Sequence, residues 1–124
     1  MSLERPKLEK PEGDIPFDLG IEDLTVGEGA EATKGTKVSV HYVGVAFSTG
    51  EEFDASWNRG KPLDFRLGSG QVIAGWDQGI QGMKVGGRRR ITIPPRLGYG
   101  DRGAGNVIRP GETLIFVVDL VDAR

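Results

Sequence analysis

Between Thr36 and Phe47 apolar and polar side chains take turns: Val38, Val40 and Tyr42 alternate with Lys37, Ser39 and His41. A period of two places one set on a buried face and the other on a wetter one, so the segment predicts a β-strand. Leu63, Phe65 and Leu67 alternate with Asp64 and Arg66 in the same way. Thr113–Val121 is apolar on both faces, with Leu114, Phe116, Val118 and Leu120 on one and Ile115, Val117 and Val121 on the other. Such a strand belongs in the middle of a sheet. A first strand is expected over Leu19–Val26, ended by Gly27 and Gly29, and another over Arg88–Ile93, ended by Pro94 and Pro95. Ser48, Thr49 and Gly50 form a turn from which Glu51–Asp54 starts the return strand of a hairpin, and residues 55–61 follow as a polar loop.

The period changes once. In VIAGWDQGIQGM, residues 72–83, Ile73, Trp76, Ile80 and Met83 recur at steps of three, four and three, which is one face of a helix. Gly75, Gly79 and Gly82 interrupt it, each costing a helix roughly 1 kcal/mol relative to alanine. Two readings fit: glycines that let the helix pack closely on a sheet, or a backbone left bare beside an indole so that a ligand can approach. Residues 94–112 hold five glycines and three prolines and form a long irregular loop of the kind that usually carries function. The sum is an α+β domain of about five mostly antiparallel strands with one short helix on a face. Its expected span is 19–124, preceded by an extended, flexible arm over 1–18 that contains Pro6, Pro11 and Pro16.

Composition narrows the chemistry. A chain of 124 residues buries roughly two thirds of its unfolded surface as one domain. Sixteen basic against eighteen acidic residues give a net charge of -2, with no bias toward nucleic acid or anionic membrane. There is no cysteine, hence no disulfide and no thiolate, and one histidine, His41, which excludes any site needing two imidazoles. No apolar run approaches the roughly 18 residues of a membrane span, and the N-terminus lacks an apolar signal core. A monomeric, cytoplasmic-type chain without metal or organic cofactor is expected.

Conventional catalytic arrangements are nearly absent. His41 has no evident serine partner in its strand and reads as structural. GAGN at 103–106 lacks the lysine of a phosphate loop. Arg88, Arg89 and Arg90 read as a solvated edge, because in a strand their side chains alternate between faces. Glu51 and Glu52 serve solubility at a turn. Phe53 and Phe116 fit ordinary core as well as a pocket wall, and Asp54 fits an Asx turn. Tyr99, between two glycines, has little local packing and is expected to project its hydroxyl toward a cavity.

Taken together, VHYVG at 40–44, FDAS at 53–56, VIAGWDQGIQGMKVGGRR at 72–89, LGYG at 97–100 and PGETLIFVVDL at 110–120 resemble the FKBP-type peptidyl-prolyl cis-trans isomerases, in the family's order and near its spacing. The resemblance implies a twisted antiparallel sheet wrapped around one short helix, and does not cover the N-terminal arm. It also implies a pocket in which Trp76 is the floor for a proline ring and Tyr42, Phe53 and Phe116 are walls. Leu63, Val72, Ile73 and Ile108 flank it, Asp54 supplies a polar edge, and the Ile73 backbone N–H and Tyr99 hydroxyl donate to carbonyls of a bound peptide or macrolide. Leu63 stands where many members have phenylalanine, and Ala104, Gly105 and Asn106 replace a frequent His-Pro-Gly. The implied activity is X-Pro isomerisation on polypeptide clients, with rapamycin-type macrolides as ligands. The alternative is a module that grips proline loops or macrolides with little turnover. Residues 101–112 leave no room for the inserted domain associated with independent chaperone activity.

Overall fold

The computed structural model describes residues 4–8, 17–105 and 107–124. Six strands are present among them: β1 (Gly20–Thr25), β2 (Lys37–Ala46), β3 (Glu52–Ala55), β4 (Leu63–Arg66), β5 (Arg88–Ile93) and β6 (Leu114–Ala123). They form one antiparallel sheet in the order β1-β5-β6-β2-β3, with β4 also on β2. Val38 and Val40 face β4, whereas Val43 and Val45 face β3, so the two strands share one edge of β2 in succession. The doubly apolar β6 lies in the middle, between β5 and β2. The count is one strand above the five expected, and the α+β class holds.

Helix α1 (Ala74–Gly79) is half the length that the 72–83 pattern predicts. Gly82 adopts φ +90°, a left-handed turn that ends any continuation, and Met83 N–H already bonds the Ile80 carbonyl. The helix glycines have a packing cause. A methyl group at Gly75 would lie 2.6 Å from Ile93 Cγ2, and one at Gly79 3.0 Å from Ile91 Cγ2. Both glycines therefore let α1 rest directly on β5. Trp76, Ile80 and Met83 then join Val38, Val40, Ile91, Ile93, Leu114, Phe116 and Val118 in the main core cluster. Each fully buried aliphatic there contributes about 1.5–3 kcal/mol.

Three local expectations are corrected. The 55–61 segment contains a 3-10 helix over Ser56–Arg59. His41 does have a serine partner: its Nδ1 is 2.8 Å from Ser56 Oγ, and its ring stacks on Trp57 at 4.2 Å between centroids. Ser56 is fully buried and also accepts the Tyr42 N–H at 2.7 Å, so it is a tie between segments and not an accessible nucleophile. The arginines are not a solvated edge, because β5 is an interior strand. Arg89 is 7% exposed; it pairs with Asp23 at 2.7 Å and donates to the carbonyls of Gly79 and Gln81 at 2.8 and 3.0 Å, just past the helix. A cation there completes the unpaired carbonyls of a helix C-terminus. Arg88 grips Asp119 at 2.6 Å, and burial pushes the Asp119 carboxyl up against the opposing pull of Arg88 and His41.

The long loop 94–112 is mostly irregular, holding a 3-10 turn at Pro95–Leu97 and an isolated bridge between Ala104 and Ile108. The arm expected over 1–18 falls partly outside the described residues, as does Asn106. Residues 4–8 have no regular structure and touch the sheet, the Glu4 carbonyl accepting a hydrogen bond from Arg88.

Candidate active site

β2, β3, β4, α1 and the long loop converge on a cavity of about 430 Å³ lined by Tyr42, Phe53, Asp54, Leu63, Gln71, Val72, Ile73, Trp76, Tyr99 and Phe116. Nine of the ten residues singled out in the sequence therefore meet there. Ile108 does not line it; it is 5% exposed and packed in the core cluster, its N–H bonded to the Ala104 carbonyl.

Four aromatic rings of the lining, Tyr42, Phe53, Trp76 and Phe116, pack against one another. Trp76 is 4% exposed and makes edge-to-face contacts with Tyr42 at 4.8 Å and Phe116 at 5.1 Å, while Phe65 packs against it at 5.8 Å. Phe53 meets Phe116 at 5.4 Å with their planes at 90°. This is the geometry that ring quadrupoles favour, worth about 0.5–1.5 kcal/mol per pair beyond burial. Gly44 permits it: a Cβ there would stand 2.6 Å from Phe116 and 2.7 Å from Phe53. Val72, Ile73 and Leu63 close the other side, half-buried against the core.

One rim is polar and tightly wired. The Tyr42 hydroxyl donates to Asp54 Oδ2 at 2.5 Å. Arg59 Nη2 donates to the Tyr42 hydroxyl at 2.7 Å and its Nη1 to Asp54 Oδ1 at 3.2 Å. Asp54 Oδ1 also accepts the N–H of the next residue, Ala55, at 2.9 Å; an Asx turn would take the N–H two residues on, so this strand carboxylate does not make the expected turn. Desolvation, then the Asp54 hydrogen bond, pushes the Tyr42 phenol above its usual range; desolvation and the Asp54 charge do the same to Tyr99. Both hydroxyls therefore keep their protons at neutral pH; Tyr42 donates its own to Asp54.

Asp77 prepares the approach to the helix. Its carboxylate accepts the N–H groups of Gly68 and Gly70 at 2.8 and 2.9 Å, and Gln71 Oε1 accepts the Arg66 N–H at 2.8 Å. These bonds fix the turn that delivers Val72 and Ile73 to the cavity.

Sequence reasoning missed Arg59, Gln71 and the part played by Gly44. Gly44 stood inside the VHYVG block and Gln71 just before the helical pattern, so a signal existed for both. Arg59 had only a weak one, a cation five residues after Asp54 in a polar stretch.

An antiparallel sheet with one short helix and a largely aromatic and aliphatic cavity between them defines the class of fold. The family model for FKBP-type peptidyl-prolyl cis-trans isomerase matches residues 17–121, and the chain belongs to that family. It is 68% identical over 122 residues to an FK506-binding protein of Streptomyces anulatus, covering 98% of each chain. It is also similar to a probable FK506-binding protein of Corynebacterium glutamicum, 55% identical over 121 residues, which cover 98% of this chain and 100% of that one. Among solved structures, AtFKBP13 superposes with a TM-score of 0.79 at 45% identity, covering 86% of this chain and 93% of that one.

Proposed function

We propose that this cavity is where the isomerase turns X-Pro bonds, with Trp76 as the floor under the prolyl ring and Tyr42, Phe53 and Phe116 as its walls. The observation that carries the reading is the arrangement of those four rings around a cavity of about 430 Å³. Val72, Ile73 and Leu63 form the side that meets the residue before proline. The Ile73 N–H and the Tyr99 hydroxyl donate to peptide carbonyls, and Arg59 with Asp54 holds the Tyr42 ring upright. Ile108 supports the loop from within the core.

Rotation about an X-Pro bond breaks no σ-bond; its barrier of roughly 18–20 kcal/mol is lost amide resonance. The twisted amide has less charge separation than the planar one, so a dry aromatic pocket favours it over the ground state. Uncatalysed exchange takes tens to hundreds of seconds. An ordinary enzymatic rate of about 10–1,000 per second requires lowering the barrier by roughly 4–7 kcal/mol. Desolvation, two or three hydrogen bonds and selection of a bent prolyl turn supply an amount of that order, and no step calls for a metal or cofactor.

The clients are proline-containing polypeptides, met by a monomer in the cytoplasm without nucleic acid or membrane as partner. A rapamycin-type macrolide competes for the same pocket. A protease-coupled assay on a peptide with an apolar residue before proline should show acceleration that the macrolide abolishes. A rate equal to buffer sinks the enzymatic reading. Tight macrolide binding alongside that null rate supports the alternative, a gripping module whose pocket Leu63 has altered.

A further inference from the structure

The side of the sheet facing away from α1 carries an organised layer of its own. Asp119 is in register with Arg88 and His41, and Val117 and Ile115 follow at steps of two beside Val43 and Val45. Those four apolar residues are at most 4% exposed, yet none belongs to the cluster on the helix side. The N-terminal segment reaches this face, because Arg88 bonds both Asp119 and the Glu4 carbonyl.

Arg5 fastens the segment at a second place. Its Nη1 donates to Asn58 Oδ1 at 3.0 Å, its Nη2 donates to Glu52 Oε1, and Asn58 Nδ2 donates to Glu52 Oε2 at 3.3 Å. These three side chains close a ring of hydrogen bonds between the N-terminal segment, β3 and the Ser56–Arg59 helix. A second ring lies beside the first in sequence. Asp54 is two residues after Glu52, Arg59 is the residue after Asn58, and both converge on the Tyr42 hydroxyl at the pocket wall. Both rings bridge the same two elements, so the outer one restrains the separation on which the inner one depends.

We infer that Arg5 is a positioning residue for the isomerase site: by clamping Glu52 to Asn58 it holds the Ser56–Arg59 helix against β3 and keeps Arg59 on Tyr42 and Asp54. The inference rests on the cavity being the isomerase site, and gives a role in the reaction to a segment outside the matched family region. Arg5 and Glu52 side chains are 40% and 35% exposed, so the clamp is modest and salt-sensitive.

Arg5→Ala should lower kcat/KM about two- to fivefold, the effect of losing one partly exposed charged contact. The loss should fall on KM, because a looser wall weakens ground-state and transition-state binding alike. Arg5→Lys, which keeps the charge without the fork, should recover part of it. In salt of about 1 M the gap between wild type and Arg5→Ala should narrow. An activity-independent readout is amide exchange at Gly60, whose N–H bonds the Trp57 carbonyl at 3.2 Å at the end of this helix. That exchange should quicken in Arg5→Ala. Equal kcat/KM in wild type and Arg5→Ala overturns the inference, as does unchanged Gly60 exchange. An inactive wild type instead overturns the functional reading, while the exchange measurement still decides whether the clamp exists.

Discussion

Trp76 bears the heaviest demand placed on a single side chain, being at once a core residue and, in the proposed site, the floor of the cavity. Both roles follow from its place in α1, where Gly75 lets the helix sit low enough for the indole to reach Tyr42 and Phe116. Trp76→Ala should cost about 3–5 kcal/mol of stability, the usual range for deleting a buried tryptophan. Trp76→Phe retains a ring and should stay folded with weaker macrolide binding, which calorimetric titration measures directly. Unchanged affinity in that variant counts against the floor assignment. Tyr99 differs in being 39% exposed, and its proposed role is to donate its hydroxyl to a ligand. Tyr99→Phe should cost about 0.5–1.5 kcal/mol of macrolide affinity, the worth of a neutral hydrogen bond. Its melting temperature should barely move.

Among the elements, α1 shows why the sequence is informative about a segment's presence and less so about its cause. The 3.6-residue period located the helix, and the two explanations for its glycines could not be separated without knowing what faces them. The sheet decides: Ile93 fills the space beside Gly75 and Ile91 that beside Gly79. Gly75→Ala forces a contact of 2.6 Å with a branched side chain fixed in an interior strand. Overpacking of that kind costs about 1–3 kcal/mol and outweighs a helix-propensity gain of about 1 kcal/mol. At Gly79 the nearest contact is 3.0 Å, tight but closer to tolerable, so Gly79→Ala should be the milder of the two in chemical denaturation. Gly75→Ala should also raise KM for a peptide substrate, because lifting α1 off β5 moves Trp76 within the cavity. Equal destabilisation by both substitutions would contradict this packing account.

For the molecule as a whole, strands and most of the pocket were legible because alternation is local and the blocks keep their order. Contacts closing between distant residues were not. His41 meets Ser56 across the β2–β3 hairpin, Arg89 meets Asp23 and the end of α1, and Arg59 turns back to Tyr42. Each depends on register and turn geometry that no single segment specifies. One consequence concerns alkaline stability. Both tyrosines of the chain, Tyr42 and Tyr99, line the cavity, and both phenols are raised above their ordinary value by burial first. In the unfolded chain they release protons near pH 10, while the folded protein retains them to higher pH. The folded state then binds more protons than the unfolded one, so stability present below about pH 10 is lost as pH rises through the folded-state values. Denaturant unfolding at a series of pH values from about 8 to 11 should show that decline. Tyr99→Phe removes one of the two phenols and should flatten the slope, which separates it from the background contributed by lysines. On the proposed site, saturating macrolide should cover the same hydroxyls and carry the ultraviolet phenolate titration of the wild type to still higher pH. A stability curve that stays level or rises above pH 10, or a phenolate titration indifferent to the ligand, would mean that the tyrosines are not held as the cavity geometry places them.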